Sequence, residues 1–168
     1  SPETALVYCG QVLWEGTRLS EGRGTCRPFE IFGAPYLNPE AVKKVLTIET
    51  SPGCCLQPYT FRPTFNKWAG ELCRGFMLHV LEPRRYEPFS LSLELLGAVL
   101  QVHGDSFQWQ SPPYEYEYSQ PPIYFILGDP AIRKALESRE PLHQMQTQWR
   151  SDLGSYLEWR RPFLLYPF

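Results

Sequence analysis

Apolar positions alternate along some stretches of the chain and recur every three or four residues along others, and the two periods separate strands from helices. From Ala5 to Trp14, Leu6 and Tyr8 and then Val12 and Trp14 alternate, which predicts one strand interrupted at Cys9-Gly10 or two short ones. Phe29 to Phe32 reads as a short strand or as a buried approach to the Gly33-Ala34-Pro35 turn. Asn38-Pro39-Glu40 supplies a cap, a proline at the first helical position and an acid in the first turn, and Ala41, Val42, Val45 and Leu46 give the buried stripe of a helix over 39–46. Ser51-Pro52-Gly53 ends that unit. Cys54 to Phe61 alternates as a strand, and Cys73 to Leu81 is apolar on both faces, as a central strand is. The two are expected to be neighbours. Leu91, Leu95, Ala98, Val99 and Val102 predict a helix from Ser90 to His103, with Gly104 just past its end. Ile123 to Leu127 leads into Asp129-Pro130, which starts a further helix to about Ser138. In the last helix, from about Pro141 to Arg160, Met145, Trp149, Leu153, Tyr156 and Leu157 share one face and Gln144, Gln148, Arg150, Asp152 and Glu158 the other. That amphipathic face is expected to pack on the domain, and the apolar tail from Pro162 to Tyr166 to dock. The pattern predicts an α+β fold, one small mixed β-sheet packed with about four helices, with residues 1–168 forming a single domain.

Three stretches fit neither period. Glu15 to Tyr36 holds four glycines, two prolines, three arginines and three glutamates. Its centre, Leu19-Ser20-Glu21-Gly22-Arg23-Gly24-Thr25, sets one arginine between two glycines, where the backbone can take positive φ and approach a ligand closely. Apolar sequence on both sides implies a loop carried by buried elements, as functional loops are; a solvated surface connection is the alternative. Arg62 to Gly70 is a polar and aromatic loop with Thr64, Asn66, Lys67 and Trp68. Ser111 to Pro122 brackets Tyr114, Glu115, Tyr116, Glu117 and Tyr118 with prolines, either as a flexible loop or as the aromatic and acidic rim of a cleft.

The net charge of −2 gives no reason to expect a nucleic-acid or anionic-membrane partner. No apolar run is long enough for a spanning helix, and Ser1 to Gly10 lacks the features of a signal peptide. Five cysteines at irregular spacings, without a CxxC pair, exclude a complete disulfide framework, lack the ligand spacing of a zinc site, and are expected to be buried thiols. No metal or other cofactor is implied. Ten phenylalanines, ten tyrosines and five tryptophans beside 17 prolines suit a carbohydrate-binding cleft as well as an ordinary core.

The candidate chemistry follows from these loops. Glu15 and Glu21 are candidate catalytic carboxylates, since glycosyl transfer uses two carboxyls across the scissile bond; the alternative is that they pair with Arg18, Arg23 or Arg27. Arg23 suits bidentate binding of a carboxylate or other oxyanion, or else pins its own loop. Ser20 with His79 or His103 lacks the elbow and the acid of a hydrolase triad. Gly22-Arg23-Gly24 lacks the third glycine of a dinucleotide fingerprint and the lysine of a P-loop.

The order Leu13-Trp14-Glu15-Gly16-Thr17, the LSEGRGT block, Pro28-Phe29-Glu30 and Gly33-Ala34-Pro35 resembles the NamZ-like exo-β-N-acetylmuramidases, a glycoside hydrolase family. The likeness continues through Phe61, Pro63, Phe65, Lys67, Gly70, Cys73 and Gly75 to Trp149, Asp152-Leu153 and the Arg160-Arg161-Pro162-Phe163-Leu164-Leu165-Tyr166 finish. It implies the C-terminal domain of a two-domain enzyme whose Rossmann-like N-terminal domain lies outside these residues, with the active site in the cleft between them. The implied activity is release of non-reducing-end N-acetylmuramic acid from peptidoglycan fragments in cell-wall recycling. On that reading Ser20, Glu21, Arg23, Thr25 and Lys67 are candidate substrate-binding residues, and most catalytic carboxylates belong to the other domain. The lactyl carboxylate of muramic acid gives Arg23 or Lys67 an anion to bind. The resemblance implies a periplasmic or secreted protein, whereas five cysteines also suit the cytoplasm. An independent carbohydrate-binding or protein-interaction module is the alternative to the glycosidase reading. A large exposed apolar patch near the opening loop is expected to mark the contact with the other domain.

Overall fold

The computed structural model of the chain describes residues 1–46 and 53–166, so the expected stop at Ser51-Pro52 lies outside the described residues. Helix α1 (Pro2–Gln11) runs into a 3-10 turn (Val12–Gly16), where a strand was expected. The reason is local. Ser1 caps α1 in a reciprocal capping box with Thr4, Pro2 sits in the first turn, and Glu3 faces the positive end of the helix dipole. Val7, Gly10 and Gln11 then form a buried helical face, and Leu6 and Tyr8, the alternating pair, are exposed.

Strand β1 (Ile31–Ala34), helix α2 (Pro39–Val45), strands β2 (Cys54–Phe61) and β3 (Cys73–Val80) and helix α3 (Pro88–His103) follow. They match the sequence expectation closely, including Asn38 as the α2 cap, whose Oδ1 accepts from Ala41 N at 3.2 Å. The sheet has the order β1-β3-β2 and is antiparallel throughout rather than mixed. β3 is its centre, with Phe76 opposite Phe32 and Leu78 opposite Leu56. Gly33 and Gly75 face each other so closely that a Cβ on Gly75 would lie 1.8 Å from the Phe32 carbonyl oxygen.

One face of the sheet carries the main core. Trp14 stacks on Phe32 at 4.3 Å, and Leu91, Leu93, Leu95, Leu96 and Val99 of α3 close over them. Gly10 brings α1 against the start of α3, and the buried Gln11 donates to Ser92 Oγ at 2.9 Å while accepting from Trp14 Nε1 at 2.8 Å, so that these polar atoms stay paired. The other face holds a smaller cluster of Ile31, Phe61 and Cys73, packed with Trp68 from the loop after β2.

Three more helices complete the described chain: α4 (Pro122–Leu127), α5 (Pro130–Glu137) and α6 (Leu142–Arg160), with a 3-10 turn at Arg161–Phe163. Among the described residues six helices stand where about four were expected, because α1 and α4 arise from segments read as strand or as lead-in. α6 is held near its start, where Gln146 donates to Ser90 Oγ at 3.1 Å and Trp149 meets Phe89 edge-on. The expected packing of its apolar face fails further along: Leu153, Tyr156 and Leu157 are exposed, as are Phe163, Leu165 and Tyr166 of the tail. The side chains of Met145 and Gln148 lie outside what is described. The cysteines also depart from expectation. Cys73 is buried and Cys54 half-buried, but Cys9, Cys26 and Cys55 are exposed, because they fall on the outer faces of α1, the glycine loop and β2. Among the described residues no helix is long and apolar enough to cross a membrane.

Candidate functional site

Between Thr17 and Glu30 the chain leaves regular structure but not the protein. Thr17 bridges to Trp109, Arg18 N donates to Gln108 O at 2.9 Å, and Ser20 and Gly33 exchange backbone bonds of 2.8 and 2.9 Å. Gly22 and Gly24 take φ of +78° and +81°, and a Cβ on Gly24 would lie 2.7 Å from Phe65 N. That absence of a side chain lets the second candidate loop close on the first: Thr64 donates to Gly24 O from its backbone N at 3.0 Å and from Oγ1 at 2.9 Å. Trp68 Nε1 adds a bond of 2.7 Å to Arg18 O.

The charged side chains of both loops meet in one relay. Arg23 donates through Nη2 to Glu15 Oε1 and reaches Glu21 Oε1 from Nε at 3.1 Å. Lys67 Nζ lies 2.8 Å from Glu21 Oε2 and donates to Trp14 O at 2.9 Å. Tyr114, from the proline-bracketed loop, donates its hydroxyl to Glu15 Oε2 at 2.9 Å. Two carboxylates and two cations therefore balance, ordered Tyr114, Glu15, Arg23, Glu21, Lys67. Glu21 and Lys67 are the buried end, with side chains 2% and 9% exposed; Arg23 is 43% exposed. Burial lowers the Lys67 pKa against the opposing pull of Glu21, whereas the bond to Glu15 raises that of Arg23. Burial and then the Glu15 carboxylate push the Tyr114 phenol well up, keeping it a donor.

Arg23 borders an open groove of about 570 Å³ lined by Gly24, Thr25, Cys26, Pro28, Thr64 and Phe65. Its guanidinium lies over the Phe29 ring at 5.2 Å, and Nη1 has no hydrogen-bond partner among the described residues. Arg23 thus lines the groove while its Nη2 and Nε are held by carboxylates.

Of the sequence candidates, Glu15, Glu21, Arg23 and Lys67 are brought together, and Arg23 and Thr25 line the groove. Thr25 Oγ1 donates to Gly22 O at 2.6 Å and accepts from Arg27 N at 3.1 Å, which shapes the turn. Ser20 is buried, its Oγ accepting from Gly22 N at 3.2 Å. Arg27 pairs with Glu30 at 2.7 Å, and Arg18 lies over Trp68. His79 is bonded to Gln57, and His103 accepts from Asn38 N at 3.0 Å. Phe65 was not among the sequence candidates, and Tyr114 was read only as part of a flexible loop or of a cleft rim, without its bond to Glu15. Tyr114 is fixed in a tight turn, with Glu117 and Tyr114 exchanging backbone bonds of 2.9 and 3.0 Å.

Comparison with known proteins identifies the family. The family model described as "Exo-beta-N-acetylmuramidase NamZ, C-terminal" matches residues 6–166. The chain is 27% identical over 164 residues to the peptidoglycan beta-N-acetylmuramidase NamZ of Bacillus subtilis (strain 168), covering 98% of this chain and 38% of that protein. Two crystal structures of DUF1343 family proteins from Bacteroides fragilis NCTC 9343 share the fold. One has a TM-score of 0.78 at 17% identity, covering 99% of this chain and 44% of its own. The other has a TM-score of 0.64 at 19% identity, covering 99% and 41%. The chain spans well under half the length of each of these relatives. Matched along nearly its whole length, it belongs to the NamZ C-terminal family.

Proposed function

We propose that the chain is the part of a peptidoglycan-processing glycoside hydrolase that forms one wall of its active-site cleft, together with a preceding domain. The reaction would be that of an exo-β-N-acetylmuramidase, releasing N-acetylmuramic acid from the non-reducing end of cell-wall fragments. The observation that carries the reading is the half-exposed Arg23, set at the edge of the groove with Nη1 unpartnered among the described residues and its other nitrogens fixed by Glu15 and Glu21. A guanidinium held this way pays little rotamer entropy on meeting a carboxylate, and muramic acid carries one on its lactyl group. Glu15 and Glu21 act in this reading as positioning residues for Arg23, with Lys67 fixing Glu21 from below. The groove itself is open and bordered by the Phe65 ring, which suits a sugar face.

In the complete enzyme, Arg23→Ala should raise KM for muramic acid glycosides at least tenfold more than for glycosides that lack the lactyl group. An equal effect on both substrates would remove Arg23 from carboxylate recognition. A chromogenic N-acetylmuramide assay on the chain with and without its preceding region tests the shared cleft. Turnover by residues 1–168 alone, or tight glycan binding by them without any partner domain, would count against it.

A further inference from the structure

The apolar stripe of α6 outruns the domain that holds it. Trp149 meets Phe89 in the inner half of the helix; Leu153, Tyr156 and Leu157 continue the same stripe at spacings of four and three residues and are exposed among the described residues. Beyond them Trp159 and Phe163 extend a ladder of rings, with centroids 6.0 Å from Tyr156 to Trp159 and 5.2 Å from Trp159 to Phe163, and Leu165 is 89% exposed. At about 1.5 Å per residue the helix runs roughly 16 Å beyond Trp149. Exposed apolar side chains grouped along one helix and its tail, rather than scattered singly, mark an interaction surface.

We propose that this arm, the outer half of α6 with the tail after it, is the seat of a second domain of the same polypeptide, corresponding to the further region carried by the longer relatives. The inference rests on the reading above that the chain works joined to such a region, and it names the surface. Two observations choose this occupant. The matched family spans residues 6–166, arm and tail included, and both solved relatives cover 99% of the chain within proteins more than twice as long. The arm is thus part of the domain in proteins that also carry the extra region. A tethered domain is present at an effective concentration in roughly the millimolar range, far above that of a second copy at ordinary protein concentrations. Phe65 is exposed beside the opening loop, where the contact was expected, and the arm adds a second exposed apolar surface.

Hydrogen exchange over residues 150–166 tests the assignment, compared between residues 1–168 and the full natural polypeptide. Amides in this stretch should exchange at least tenfold more slowly in the full polypeptide. Tyr156→Asp with Trp159→Asp should abolish that protection while leaving the unfolding midpoint of residues 1–168 unchanged, since both side chains are exposed there. Equal exchange in the two proteins would overturn the proposal, as would a natural polypeptide without a further domain. A dimer of residues 1–168 in sedimentation, dispersed by the same two substitutions, would assign the arm to a second copy and equally overturn it. If the arm is protected but the full polypeptide fails to cleave N-acetylmuramides, the functional reading fails and the docking surface stands.

Discussion

Both oxygens of Glu21 are taken, Oε1 by Arg23 and Oε2 by Lys67, and the side chain is 2% exposed. A buried carboxylate that loses one of its cations keeps the desolvation cost without the compensating charge. Lys67→Met should therefore destabilise the protein by about 3 kcal/mol in urea unfolding. In a double-mutant cycle with Glu21→Gln the coupling should exceed about 1 kcal/mol, and additive effects would speak against the pair. His103 offers a test by pH. Burial lowers its pKa, and the Asn38 N–H that donates to Nε2 at 3.0 Å needs that nitrogen unprotonated. The unfolded chain then binds the proton more readily than the folded one, so the contribution is full above the unfolded value of about 6.5 and is lost as pH falls through the lower folded value. His103→Gln should flatten that slope of stability against pH; an unchanged slope would place its origin elsewhere. Arg23 and Lys67 were legible because a glycine-flanked arginine and the single lysine of an aromatic loop stand out from their surroundings. The bond from Tyr114 to Glu15 was not, since the partners lie 99 residues apart and nothing in local spacing reports such a contact.

The elements came through the sequence where a cap and a period agreed. Asn38-Pro39 before α2, Asp129-Pro130 before α5 and the two-faced apolar run of β3 each carried two signals. α1 carried two that conflicted. Its run of Ala5, Leu6, Val7 and Tyr8 fits either period, and the capping box at Ser1 to Thr4 is what decides for helix. Packing between elements was legible for β2 and β3, expected as neighbours and paired in the sheet, but the exposure of the outer half of α6 was not. Two glycines separate these levels. Gly75→Ala forces β1 and β3 apart, because its Cβ would meet the Phe32 carbonyl, and should cost about 3 kcal/mol, a fall in Tm of roughly 6 to 12 °C. Gly154 lies within α6 with no atom within 4 Å of an added Cβ, so Gly154→Ala should stabilise its helix by about 0.5–1 kcal/mol. Because the outer half of α6 is largely exposed, that gain should be sought as slower amide exchange over residues 150–160 rather than in the global midpoint.

For the molecule as a whole, the thiols report the fold. Cys9, Cys26 and Cys55 are exposed, while burial pushes the half-buried Cys54 and the buried Cys73 up to about 11. A thiol reagent at neutral pH should add three labels to the native protein and five after denaturation, located by mass spectrometry at those positions. Two labels or fewer on the native protein would contradict the exposed placement of α1, the glycine loop or β2. The relay at the site has a further consequence, in time rather than in energy. Its bonds span 46 residues between Glu21 and Lys67, 40 between Gly24 and Thr64, and 99 between Glu15 and Tyr114. Contacts closing loops of that length form after the local helices and the β2 to β3 pairing, once the chain has already lost most of its freedom. Weakening Lys67 or Tyr114 should then hasten unfolding and leave the refolding rate almost unaltered, so that these ties set how long the assembled groove survives once made.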